Sequence, residues 1–219
     1  MKSIRVPFID GLESMNPEDF SEALERFGAK DAVNEAPWED FPYKPDCFFT
    51  IARSEKCLAV EFRVRGLDLR SMELEDCSRS WEDSCCEFFI AHPTDGTYYN
   101  FEVTCAGALL CGKRKDRNNF TLLSAESLKR VRRHCSLSKE PRDIKGGIHS
   151  WSIALLIPFD LIDIQELPST LRGNFYKCGD KTATPHYVSW SPVHTPSPDF
   201  HRPEFFGELV FEESAISPE

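Results

Sequence analysis

Between Cys57 and Arg65 apolar and polar residues alternate. Leu58, Val60, Phe62 and Val64 fall on one face, with Glu61, Arg63 and Arg65 on the other. A period of two predicts a half-buried β-strand, because successive side chains of an extended chain point to opposite sides. The alternation starts near residue 46. It recurs at about 84–91, 98–105, 107–112, 130–137, 149–157, 172–178 and 206–211, where Trp151, Ile153, Leu155 and Ile157 share one face of their run. Turn formers separate the runs: Pro93-Thr94-Asp95-Gly96, Gly146-Gly147 and Gly179-Asp180. Many short strands at hairpin spacing predict an all-β chain, a β-sandwich or barrel rather than βαβ repeats, and the architecture expected is an antiparallel β-sandwich. The reading is one sandwich domain over residues 46–219.

Residues 1–45 read as an extension packed on the outside of that domain. Within it Pro17–Phe27 is a short helix candidate, with Asn16 as N-cap and acids in the first turn. Phe20, Leu24 and Phe27 are spaced to form its packing face. Pro37, Pro42 and Pro45 keep the following chain extended. The stretch from His186 through Trp190 and His201 to Gly207 is long, punctuated by proline and rich in aromatics. A segment of that length without regular structure is either functional or tightly tied down.

Composition narrows the function classes. The 219 residues carry 26 Lys+Arg against 36 Asp+Glu, a net charge of −10, so nucleic acid and anionic membrane are poor partners. Seventeen phenylalanines supply a large core, which excludes wholesale disorder. No apolar run approaches the ~18 residues that would span a bilayer. The N-terminus shows no signal-peptide pattern, so the expectation is a cytoplasmic protein, or a secreted or periplasmic one if a leader was removed. Nine cysteines without a CxxC pair read as mostly buried, reduced thiols.

Candidate chemistry is sparse. There is no GxSxG elbow, P-loop, HExxH or dinucleotide fingerprint. Glu87 and Glu102 are a candidate acid/base pair. His186, His194 and His201, with Cys178 nearby, match no tight metal-ligand spacing. The basic run Lys129–His134 reads as a solvated strand face paired with carboxylates. The most informative pattern is aromatic and polar together: Trp81 inside Ser80-Trp81-Glu82-Asp83, and Trp190 between serines. Between them lie strands carrying Glu87, Asn100, Glu102, Arg172, Asn174 and Tyr176. Flat indoles suit the C–H faces of a sugar ring, and charged groups suit its hydroxyls.

Six segments resemble family 9 carbohydrate-binding modules, in sequence order. Ser80-Trp81-Glu82-Asp83-Ser84-Cys85-Cys86-Glu87-Phe88-Phe89-Ile90 resembles that family's strand entry, and Tyr98-Tyr99-Asn100-Phe101-Glu102 its next strand. Trp151–Phe159, Arg172–Lys177, Tyr187–Pro192 and Phe206-Gly207 complete the pattern over about residues 46–211. The leader and the Phe200–Glu204 insert look most like the stand-alone, family 9-like group. The resemblance implies non-catalytic binding of a mono- or oligosaccharide, the terminal sugar clamped between Trp81 and Trp190. Glu87 and Asn100 would be polar contacts, and Tyr98 stands where the family often has arginine. Arg172 and Asn174 are inferred contacts. Structural calcium is implied by the family, with no recognisable ligand positions here. The alternative is a small glycan-active enzyme using the sandwich-face carboxylates or loop histidines.

Overall fold

The computed structural model describes residues 2–213. Among the described residues thirteen strands form two sheets stacked as a sandwich. They are β1 (Ser3–Val6), β2 (Ala29–Ala32), β3 (Asp46–Arg53), β4 (Cys57–Ser71), β5 (Cys85–Ala91), β6 (Tyr98–Thr104) and β7 (Leu109–Arg114). After them come β8 (Phe120–Leu122), β9 (Arg132–Cys135), β10 (Arg142–Pro158), β11 (Thr170–Cys178), β12 (Tyr187–Ser189) and β13 (Gly207–Phe211). The larger sheet has the order β1-β13-β11-β5-β6-β7-β8, with β12 also paired to β11, and the smaller one β2-β3-β4-β10-β9. Neighbouring strands run antiparallel except β1 and β13, which are parallel.

The predicted alternation becomes the main core. Leu58, Val60, Phe62 and Val64 of β4, and Trp151, Ile153, Leu155 and Ile157 of β10, meet Phe88, Phe101 and Phe175 of the larger sheet. Phe49 lies flat on Phe175 with ring centroids 3.6 Å apart. Each fully buried side chain of this size contributes about 1.5–3 kcal/mol, so the inter-sheet layer dominates the fold's stability.

Helix α1 (Pro17–Phe27) forms where the sequence places it. The Asn16 side chain accepts from the backbone N–H of Glu18 and Asp19, each at 3.0 Å. Phe20 and Leu24 pack on the outer face of the smaller sheet, where Ala52, Ala59 and Ala154 leave room for a helix. Phe27 departs from expectation: at the helix end it is 59% exposed, with Arg26 over its ring. The first 45 residues also do more than wrap the domain. They supply β1 to one sheet and β2 to the other.

Gly146-Gly147, expected as a turn, instead lies inside β10 as a bulge. Both glycines have positive φ, the register against β4 shifts there, and the Gly146 N–H donates to the Asp68 carboxylate. The basic run is ion-paired in part as expected: Arg130 meets Asp160, and Arg133 forms a bidentate pair with Asp76. Arg132 instead donates to the carbonyls of Leu12, Glu13 and Met15. Seven of the nine cysteines are buried; Cys77 is exposed and Cys135 half-buried.

Candidate functional site

The outer face of the larger sheet is polar along its middle, an arrangement fixed by register. Glu87 on β5 pairs with Tyr176 of β11 on one side and Glu102 of β6 on the other. Asn100 is two residues from Glu102 on the same face, and Tyr98 two further, beside Arg114 of β7. A second apolar cluster covers part of this face. Trp38 and Phe41 from the leader, with Val193, Phe200, Phe205 and Phe206, pack onto Phe89, Tyr98 and Tyr176. The proline-punctuated C-terminal stretch is therefore tied down on the sheet.

Where that cover stops, a cavity of about 330 Å³ opens. Glu87, Glu102 and Cys178 line it from the strands, with Arg114 beside them. Trp81, Asp180, Tyr187, Arg117, Phe120 and the segment Pro198–His201 also line it. Trp81 sits on a single 3-10 turn, Ser80–Glu82, fastened from two sides. The Trp81 and Glu82 carbonyls accept from the backbone N–H of Asp180 and Lys181. Beneath the turn, the buried Asp83 carboxylate accepts from the Arg70 guanidinium and the Glu73 N–H.

The polar groups form a chain. Arg114 Nε donates to Asn100 Oδ1 at 2.7 Å, and Asn100 Nδ2 donates to Glu102 Oε1 at 2.6 Å. The Arg114 guanidinium also stacks 4.2 Å above the Phe120 ring. Glu102 Oε2 is buried and has no hydrogen-bond partner within the protein. Burial pushes the Glu102 carboxyl up to about 7, with the Arg114 charge and the Asn100 amide pulling the other way. Burial holds Glu87 well above the ordinary carboxylate range, and Cys178 and Glu102 push in the same direction. Asp180 is also raised by burial, opposed by the Tyr187 hydroxyl. Burial and nearby Arg114 and Arg117 push His201 down to about 3, and the ring shares a hydrogen bond between its Nδ1 and the Tyr98 hydroxyl, 3.0 Å apart.

Of the residues singled out in the sequence, Trp81, Glu87, Glu102, Cys178 and His201 line the cavity. Asn100 and Tyr98 stand behind its wall, holding Glu102, Arg114 and His201. Asn174 turns to the covering loop, donating to the Ser191 carbonyl and accepting from the Ser191 N–H. Arg172 donates to the carbonyls of Glu204 and Phe206.

Trp190 is not brought to Trp81. It is fully buried between the sheets, edge-on to Phe49 and Phe175 at 5.6 Å, and its Nε1–H donates to Asp31. Its serine neighbours, Ser189 and Ser191, are themselves buried. Arg114, Asp180 and Tyr187 were not foreseen, and no local pattern marks them. His186 is also apart, buried against the Lys177 ammonium at 2.8 Å.

Among the described residues, Cys85, Glu87 and Cys178 are the one group of three metal-ligating side chains that converge, within 4.8 Å of one another. Calcium takes roughly six to eight oxygen ligands. Two thiols and one carboxylate do not fit it.

The carbohydrate-binding family 9 model matches residues 21–211, nearly the whole described chain, and the chain belongs to that family. A crystal structure from Bacteroides uniformis ATCC 8492, described as a candidate carbohydrate-binding protein, is 36% identical. The match covers 96% of this chain and 99% of that one, with a TM-score of 0.90. A family 9 carbohydrate-binding module from Caldicellulosiruptor kristjanssonii, solved with glucose, superposes with a TM-score of 0.63 at 12% identity over 99% of both chains. The cellotriose complex of a family 9 module from that organism gives 0.59 at 13% identity, covering 100% of this chain and 99% of that one. No curated protein matches the chain.

Proposed function

We propose that the cavity binds the end of a carbohydrate chain, or a single sugar, without transforming it. The observation that carries this reading is the buried Glu102 Oε2, which lacks a partner in the protein and sits in an aromatic-walled cavity. Leaving such an acceptor unpaired costs about 1–3 kcal/mol, which a ligand hydroxyl recovers. Trp81 offers a flat face for the ring C–H groups, while Glu87, Asp180 and Arg114 surround its hydroxyls. About 330 Å³ is at the small end for ligand pockets and suits one or two sugar rings. Family membership supports the same reading, as do the glucose and cellotriose complexes of the fold neighbours. The clamp expected between two tryptophans is replaced by Trp81 with Tyr187 and Phe120 as the available aromatic walls.

One observation favours a second reading. Glu87 and Glu102 are paired across adjacent strands, and Glu102 is raised to about 7, as a general acid requires. Calorimetric titration with glucose, cellotriose and a wider sugar panel, followed by product analysis, separates the readings. Saturable binding with the sugar recovered intact supports the first. Turnover abolished in Glu102→Gln supports the second. No binding to any sugar of the panel overturns both.

A further inference from the structure

The floor of the cavity carries a donor set that sugar recognition does not require. Cys85 and Cys178 are directly opposite each other on β5 and β11, and Glu87 is two residues along the same face from Cys85. The two sulfurs and a Glu87 oxygen lie within 4.8 Å of one another, with the Cys178 S–H donating to Glu87 Oε1 at 3.1 Å. All three side chains are buried, yet Glu87 and Cys178 border the cavity, so an ion has a route in. Next to Glu87 on β6 stands Glu102, buried and with Oε2 unpartnered.

We infer that Cys85, Cys178 and Glu87 form a binding site for a thiophilic divalent ion of the zinc class, with the fourth position open toward the cavity. Two thiolates and a carboxylate are ligands zinc commonly accepts, and three protein ligands leave a position for water or a ligand hydroxyl. Glu102 is placed to accept a hydrogen bond from that water, which gives its free oxygen a partner. On binding, the two thiols release their protons to solvent, and so does the Glu87 carboxyl when it is protonated. Two thiolates and one carboxylate then leave the ion with a net charge of −1. Nothing is oxidised or reduced. The site does not depend on sugar binding.

The test is titration of the reduced full chain with Co2+ in the absence of sugar. Expected are one ion per chain, a thiolate-to-cobalt charge-transfer band and tetrahedral d–d bands, all displaced by Zn2+. Cys178→Ser and Glu87→Gln each lower affinity at least tenfold, while Cys77→Ser, at the exposed thiol, leaves it unchanged. X-ray absorption of the zinc-loaded parent gives two sulfur ligands without any variant having to fold. The inference is overturned if no stoichiometric cobalt binds, or if Cys178→Ser binds as tightly as the parent. It is also overturned if absorption shows no sulfur, or if the two thiols prove paired as a disulfide that excludes the ion. Sugar titration of the metal-free protein reports separately on the function proposed above.

Discussion

Glu87 and Glu102 face each other across β5 and β6, both buried and both bordering one cavity. Two carboxyls taken out of water side by side resist ionisation, so at least one retains its proton well above the ordinary range. The same desolvation that costs stability leaves strong hydrogen-bonding groups with few partners in the protein. The sheet holds these groups at the cavity, and their titration contributes to the pH dependence of the molecule.

Trp81 and Trp190 separate binding from stability. Trp81→Ala removes a cavity wall and should weaken sugar binding by about 1–3 kcal/mol, roughly 5- to 150-fold in Kd, with little change in unfolding. Trp190→Ala opens a void beside Phe49 and Phe175 and removes the indole donor to Asp31 Oδ2. It should destabilise the fold by about 3–5 kcal/mol. Calorimetry and urea unfolding on both variants check the division, and equal effects of the two variants on binding would refute it.

The pH dependence of stability carries two opposed contributions. Glu102 is raised from 4.5 to about 7, so its contribution is full below about 4.5 and is lost as pH rises through 7. His201 is lowered from 6.5 to about 3, so its contribution is full above 6.5 and is lost as pH falls toward 3. Each therefore changes stability on the order of 1 kcal/mol per pH unit within its window. Between pH 5 and 6.5, Glu102→Gln should make stability rise more steeply with pH than in the parent, and His201→Gln less steeply. Urea midpoints at several pH values read the slopes, and a shift of both variants in the same direction contradicts the assignment.

The strands were legible because one face of each is buried against a second sheet, as Leu58, Val60, Phe62 and Val64 show. Helix α1 was legible from a local device, the Asn16 cap before Pro17. Strands β1, β2, β8 and β12 are three or four residues long, too short for a period to emerge, and pairing with neighbours defines them. Of the site, Trp81, Glu87 and Glu102 were legible as an aromatic and two acids beside or on predicted strands. Arg114, Asp180, Tyr187 and His201 come from separate segments, and only the fold brings them together. Trp190 departs from expectation because polar neighbours in sequence do not imply solvent in space.

The Arg70–Asp83 ion pair underlies the turn that carries Trp81. Asp83 is fully buried, and Arg70 also donates to the Glu82 carbonyl. Arg70→Met leaves a buried carboxylate without its counter-charge and should cost about 3–5 kcal/mol of stability. Arg70→Met with Asp83→Asn removes both charges and should recover part of the loss. A double-mutant cycle by urea unfolding checks this, and strictly additive costs would show that the pair does not act as a unit.

Asn174 was expected to touch the ligand, and its geometry assigns it a positioning role. Its amide holds the Ser191 N–H and carbonyl, at 2.9 and 3.0 Å, and so anchors the start of the loop that carries Pro198–His201 to the cavity. Asn174→Ala leaves both Ser191 backbone groups unpaired where water cannot reach, at a cost of about 1–3 kcal/mol. Because the side chain stays clear of the cavity, any loss of binding should come through a looser wall. Hydrogen exchange is therefore the discriminating measurement. Faster exchange over residues 191–201, with the amides of β5 and β6 unchanged, is the expected result. Weakened sugar binding with unchanged exchange in the loop would instead return Asn174 to the role of a direct contact.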